Sequence, residues 1–111
     1  MQRNTNSSVL VTEDLFDTPL HWACISHDQD LALELISFGA DVDIQNHLGN
    51  TPLHLAAEFG LEKVVYELLR KGAREDLLNL SDETPFHCAW QFDFDGVYLN
   101  AKLKVMMGEL S

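Results

Sequence analysis

Thr51-Pro52-Leu53-His54-Leu55-Ala56-Ala57-Glu58-Phe59-Gly60 decides how this chain folds, because it does not stand alone. Thr18-Pro19-Leu20-His21 precedes it by 33 residues, and Thr84-Pro85-Phe86-His87 follows it by 33. An alanine comes two positions after each histidine, at Ala23, Ala56 and Ala89. The register extends outward: Phe38-Gly39-Ala40 answers Lys71-Gly72-Ala73, and Val9, Val11 and Leu15 answer Val42, Ile44 and Leu48. A fixed period of this length marks a stacked-repeat architecture.

Each repeated residue has a local physical role. Threonine caps a helix by accepting from an orphan N–H. Proline suits the first helical position, where its missing N–H costs nothing. Short helices are therefore expected at about 19–26, 52–59 and 85–92. Leu20, Leu53 and Phe86, with the three alanines, form their buried face; the alanines let the next helix approach closely. His27, Gly60 and Asp93 stand at the following turns, and all three residue types tolerate positive φ. Second helices follow at about 28–38 and 61–71, with Asp28 as a cap. Leu31, Leu35 and Ile36 match Val64, Leu68 and Leu69 on their inner faces. Gly39 and Gly72 end them as left-handed caps. Residues 41–50 and 74–83 read as protruding hairpin loops.

The period and the Thr-Pro-Leu-His-x-Ala motif closely resemble the ankyrin-repeat family over residues 9–92. The resemblance implies an all-α solenoid of helix-loop-helix units with β-hairpin or loop fingers. It divides the chain into a tail at 1–8, expected to be disordered, and units at about 9–40, 41–73 and 74–111. Departures from the pattern carry expectations too. Phe16-Asp17 and Asp82-Glu83 replace the Gly-Asn that precedes the motif at Gly49-Asn50, so fingers one and three are expected to have altered tips. Position 105, where a third helix-ending glycine would fall, is Val105. Phe92-Asp93-Phe94-Asp95-Gly96 suggests a longer inter-helix loop, with the last helix at about 97–107.

Composition bounds the function. The 111 residues hold 7 Lys+Arg against 18 Asp+Glu, a net charge of −11. Nucleic acid and anionic membranes repel such a chain. Residues 1–62 carry ten acids and one base, net −9, whereas residues 63–111 carry net −2. No apolar run is long enough to span a membrane. The polar start shows no secretory h-region. Two cysteines, Cys24 and Cys88, lie two repeats apart and are expected as buried thiols, which fits a cytoplasmic setting.

Catalytic and metal chemistry find no foothold. His21, His54 and His87 lie roughly 8–10 Å apart per repeat, whereas zinc holds its ligands within about 2.3 Å. They are expected to bond the threonine hydroxyl and the neighbouring loop. Calcium-loop fragments at Asp93-x-Asp95-Gly96 and Asp41-x-Asp43 put Lys102 and Pro52 where a bidentate carboxylate is required. No phosphate loop, nucleophile elbow or Cys-x-x-Cys is present. No cofactor and no enzymatic activity are expected.

The resemblance instead implies a concave face that binds another protein. Carried over position by position, the finger residues are Asp14, Leu15 and Asp17, then His47, Leu48 and Asn50, then Leu80, Ser81 and Glu83. The helix residues are Trp22, Ile25 and Ser26, then Glu58 and Phe59, then Gln91 and Phe92. Aromatic groups among carboxylates suit a partner with a basic patch around an apolar centre. The chain is expected to act as a monomeric interaction module or adaptor. The competing reading is a regulatory or assembly subunit that self-associates through its exposed end faces or docks on a larger complex.

Overall fold

The computed structural model describes residues 17–110, with side chains as far as Gly108. Among these residues six helices follow one another as three antiparallel hairpins: α1 (Pro19–Ile25) with α2 (Gln29–Ser37), α3 (Pro52–Glu58) with α4 (Glu62–Arg70), and α5 (Pro85–Gln91) with α6 (Asp95–Leu110). The short helices α1, α3 and α5 form one layer and the longer α2, α4 and α6 the other. The expected tail and the start of the first unit, including Asp14 and Leu15, lie outside the described residues.

Every short helix begins as its sequence dictates. Thr18, Thr51 and Thr84 are extended, and each hydroxyl accepts from the N–H of the histidine three residues on, at 3.3 Å. Proline fills the first helical turn. In the first two units the histidine answers: the backbone N–H of Thr18 donates to His21 Nδ1, and that of Thr51 to His54 Nδ1, both at 3.1 Å. A backbone N–H can only donate, so Nδ1 is the accepting nitrogen and the neutral ring carries its proton on Nε2. Nε2 then donates to the Asn50 carbonyl from His21 (2.9 Å) and to the Glu83 carbonyl from His54 (2.8 Å). One imidazole thus closes its own helix and grips the finger of the next unit.

The turns within the hairpins repeat as closely. His27, Gly60 and Asp93 all take positive φ, at 60°, 67° and 66°. In each, the N–H groups of this residue and the next return to the last turn of the short helix, closing a Schellman motif. The longer loop expected around Phe92–Gly96 is absent. Asp93 adopts the conformation of Gly60, and α6 begins 33 residues after α4, as α4 does after α2. Asp28 caps α2 as expected, accepting from the Leu31 N–H at 3.1 Å. Gly39 and Gly72 close α2 and α4. With valine at the equivalent position, α6 continues to Leu110, three residues past its expected end.

Burial follows the columns in the middle of the stack and fails at its third unit. Leu20, Leu53, Ala23, Ala56 and Ala89 are buried, as are Ala32, Val64, Val65 and Leu68. Phe86 is 39% exposed although Leu53, one repeat earlier, is fully buried. Leu31 is likewise 40% exposed where Val64 is buried. Leu20, in the first unit, stays buried, so the exposure of Phe86 belongs to the side where no further described unit follows.

Candidate functional site

The fingers are tight turns. No strand occurs among the described residues, and two backbone bonds close each finger: Asn46 N–H to the Asn50 carbonyl (2.9 Å) with Gly49 N–H to the Asn46 carbonyl (2.8 Å), and Asn79 N–H to the Glu83 carbonyl (3.0 Å) with Asp82 N–H to the Asn79 carbonyl (3.0 Å). Inside each turn an asparagine carboxamide does the organising. Asn46 Oδ1 accepts from the N–H groups of Leu48 and Asn50, and Asn79 Oδ1 from those of Ser81 and Glu83. The amide nitrogens point backward. Asn46 Nδ2 donates to Asp17 Oδ1, and Asn79 Nδ2 to Asn50 Oδ1, both at 2.9 Å. The Leu80 N–H donates to the Leu48 carbonyl at 3.0 Å, so the two fingertips lie side by side.

The third finger is not altered at its tip. Asp82, at φ 60°, occupies the left-handed position that Gly49 holds at 78°. Gly49 itself has no freedom to change. A Cβ there would meet the Leu80 nitrogen at 2.8 Å and Asn79 Cα at 2.9 Å, both backbone atoms of the next finger.

These contacts sort the expected binding residues. Trp22, Ser26, His47, Leu48, Leu80, Ser81, Gln91 and Phe92 are exposed. Ile25, Glu58 and Phe59 are half-buried; the Phe59 ring lies 4.8 Å from that of His27, across the unit boundary. Three expectations need correction. The Asp17 side chain is turned inward to Asn46 and His47. Asn50 is buried, holding the fingers together. Glu83 accepts from Asn79 Nδ2 at 3.0 Å and lies near Cys88 and His87. All three are parts of the finger stack first, because a group at a finger base is hemmed in by the next unit.

Sequence reasoning missed Asn46 and Asn79, although their 33-residue recurrence was the available signal. The histidine expectation holds for His21 and His54. His87 differs: its Nε2 lies 3.6 Å from Glu83 Oε2, and its ring packs 5.8 Å from that of Trp90.

The electrostatics of the exposed short-helix side are negative. Burial and then the Glu83 charge push the Glu58 carboxyl above its ordinary value. Burial, reinforced by Glu83 and Glu58, pushes the Cys88 thiol up to about 12. Burial alone does the same to Cys24. Neither thiol is a nucleophile at neutral pH. No group of three metal-ligating side chains occurs among the described residues. A hollow of about 750 Å³ lies on the other layer, lined by Gln29, Leu33, Tyr66 and Lys104 among others, and touches none of the expected binding residues.

Stacked helical hairpins with stitched fingers define a repeat scaffold. The family model for ankyrin repeats (3 copies) matches residues 4–79 and 20–99, and the chain belongs to the ankyrin-repeat family. No curated protein matches the chain. Ankyrin repeats are generally protein–protein interaction modules. No helix among the described residues is long and apolar enough to cross a membrane.

Proposed function

We propose that this chain is a non-enzymatic protein-binding module, acting as a cytoplasmic adaptor, whose contact surface runs along the fingertips and the exposed edge of the short helices. The observation that carries this reading is the pair of projecting leucines. Leu48 and Leu80 are 54% and 75% exposed on turns that the asparagine bonds hold rigid. Large apolar groups displayed on a fixed backbone lose little entropy on binding, which is what a contact anchor requires. Trp22 and Phe92, both about half exposed, extend the apolar surface along the short helices.

The partner's chemistry follows from the charges beside those anchors. Burial, and after it the Glu83 charge, raises the Glu58 pKa, so an approaching cation relieves a repulsion already present. A partner with a basic patch around an apolar centre fits. Buried, unpaired Cys24 and Cys88 are compatible with a reducing compartment.

The test compares affinity capture by the wild type with capture by Leu48→Asp/Leu80→Asp, whose side chains are exposed and whose backbone bonds remain. Loss of the wild-type partner with an unchanged helical signal is the expected result. Equal capture by both proteins refutes the surface. Once a partner is in hand, its association rate should fall steeply as salt rises. A rate indifferent to salt refutes the basic patch and leaves the surface standing. Charge reversal belongs at Glu58 alone, because Asp17 and Glu83 also hold the fingers.

A further inference from the structure

The third unit ends in a face that the rest of the stack never leaves open. Column by column, Leu53 becomes Phe86, buried His54 becomes exposed His87, and Ala57 at 1% exposure becomes Trp90 at 60%. On α6, Tyr98 and Ala101 pack inward, while Leu99, Leu103 and Met106, spaced i, i+4, i+7, are about half exposed. A hollow of about 370 Å³ lies among Glu75, Phe86, Tyr98, Leu99 and Lys102. Phe86 and Leu99 line this hollow together, and exposed apolar groups gathered on one unit mark a contact face.

We propose that this open end is the interface of a two-fold dimer, in which two copies of the chain meet tail to tail. The charge distribution selects the occupant. A second copy brings another −11, of which −9 belongs to residues 1–62 and only −2 to residues 63–111. The tail end is therefore where two copies approach with least repulsion. The face itself carries both signs: Lys102 Nζ lies 3.2 Å from Glu75 Oε1, which also accepts from the Tyr98 hydroxyl at 2.8 Å. A two-fold axis presents Lys102 of each copy to Glu75 of the other, so the pair is self-complementary in an isologous contact.

The head-to-tail alternative fails on charge. A head-to-tail contact would instead bring the −9 of residues 1–62 against the tail of the next copy. Such a contact would also propagate into an open filament. The tail-to-tail arrangement leaves the fingertips free and makes the binding surface bivalent. It is independent of the partner proposed above and replaces the expectation of a monomer.

Sedimentation equilibrium of the full chain over a dilution series tests the proposal. The expected result is a monomer at the dilute end and a dimer at the concentrated end. Trp90 emission, read in a Trp22→Phe background, shifts to the blue over the same range. Trp90→Glu and Leu103→Lys, both at exposed positions, should each weaken association by about tenfold or more with an unchanged circular dichroism spectrum. Should Trp90→Glu fail to fold, Leu103→Lys decides alone. A monomer at every concentration, a dimer that survives Leu103→Lys, or a mass that climbs past the dimer overturns the proposal.

Discussion

The second and third units are built on the same columns, yet only the second is covered on both sides. In the second, Leu53, His54 and Ala57 are sealed between neighbours, and His54 spends both ring nitrogens on structure. In the third, Phe86, His87 and Trp90 stand at an open end, and the His87 ring turns to Glu83 and Trp90. The difference teaches that a repeat motif specifies a local conformation, whereas burial and energy come from the neighbour. Thr84 caps α5 as Thr51 caps α3, whatever lies above.

The sharpest way to break this comparison is to truncate the same column twice. Leu53→Ala removes a fully buried side chain between units and should cost about 2–5 kcal/mol. Phe86→Ala removes a larger side chain that is 39% exposed and rests edge-on against Tyr98 at 5.6 Å. Its cavity opens to water, so about 1–2 kcal/mol is expected. Urea midpoints measure both. Equal losses would mean that the third unit is as enclosed as the second.

A second pair sharpens the fingers. Gly49→Ala adds a Cβ against the backbone of the next finger in a left-handed conformation, and should cost about 2–3 kcal/mol. Asp82→Gly at the equivalent tip relieves the left-handed strain of an L-residue and gives part of the gain back as chain entropy. A change within about 1 kcal/mol is expected there, in the stabilising direction. Thermal unfolding of the two variants reads the contrast, and a large loss for Asp82→Gly would show that its side chain, rather than its backbone, sets that turn.

How far the sequence reached follows the same division. Thr18, Thr51 and Thr84 announced the helix starts, because a cap and a following proline act within four residues. Gly39 and Gly72 marked the helix ends for the same reason, and Val105 marked the place where α6 runs on. Asp93 and Asp82 were misread as signs of altered loops, because composition suggested a change where aspartate simply accepts the left-handed conformation. The binding surface was less legible. Leu48, Leu80, Trp22 and Phe92 are exposed where the family pattern put them, but Asp17, Asn50 and Glu83 are turned into the finger stack. Their bonds cross 29 residues or reach the asparagine of the same turn, and a column position alone does not say which way a carboxylate faces. Spacing alone did not fix which face of the last helix a neighbour covers, and Leu99, Leu103 and Met106 stand about half exposed there.

The smallest expected effect is a pH slope that belongs to the covered histidine. Burial lowers the His54 pKa from its ordinary value of 6.5, outweighing its bond to the Glu83 carbonyl. The native ring is neutral, with Nδ1 accepting from the Thr51 N–H and Nε2 donating. Protonation would put a second donor against that N–H. The unfolded state therefore binds the proton more tightly, and stability falls as pH drops below the unfolded value near 6.5. Above that value the contribution is fully present. Melting temperature should decline on titration from pH 7.5 to about pH 5.5, above the range where unperturbed carboxylates protonate. Glu58 acts in the opposite direction: its raised pKa makes the folded state take up a proton first, so its share of stability grows as pH falls toward 4.5. His54→Gln keeps a donor for the Glu83 carbonyl and removes the proton equilibrium. That variant should be less stable at neutral pH but flatter over the same range. A slope that survives His54→Gln unchanged would assign the titration elsewhere and remove the energetic distinction drawn between the enclosed unit and the open one.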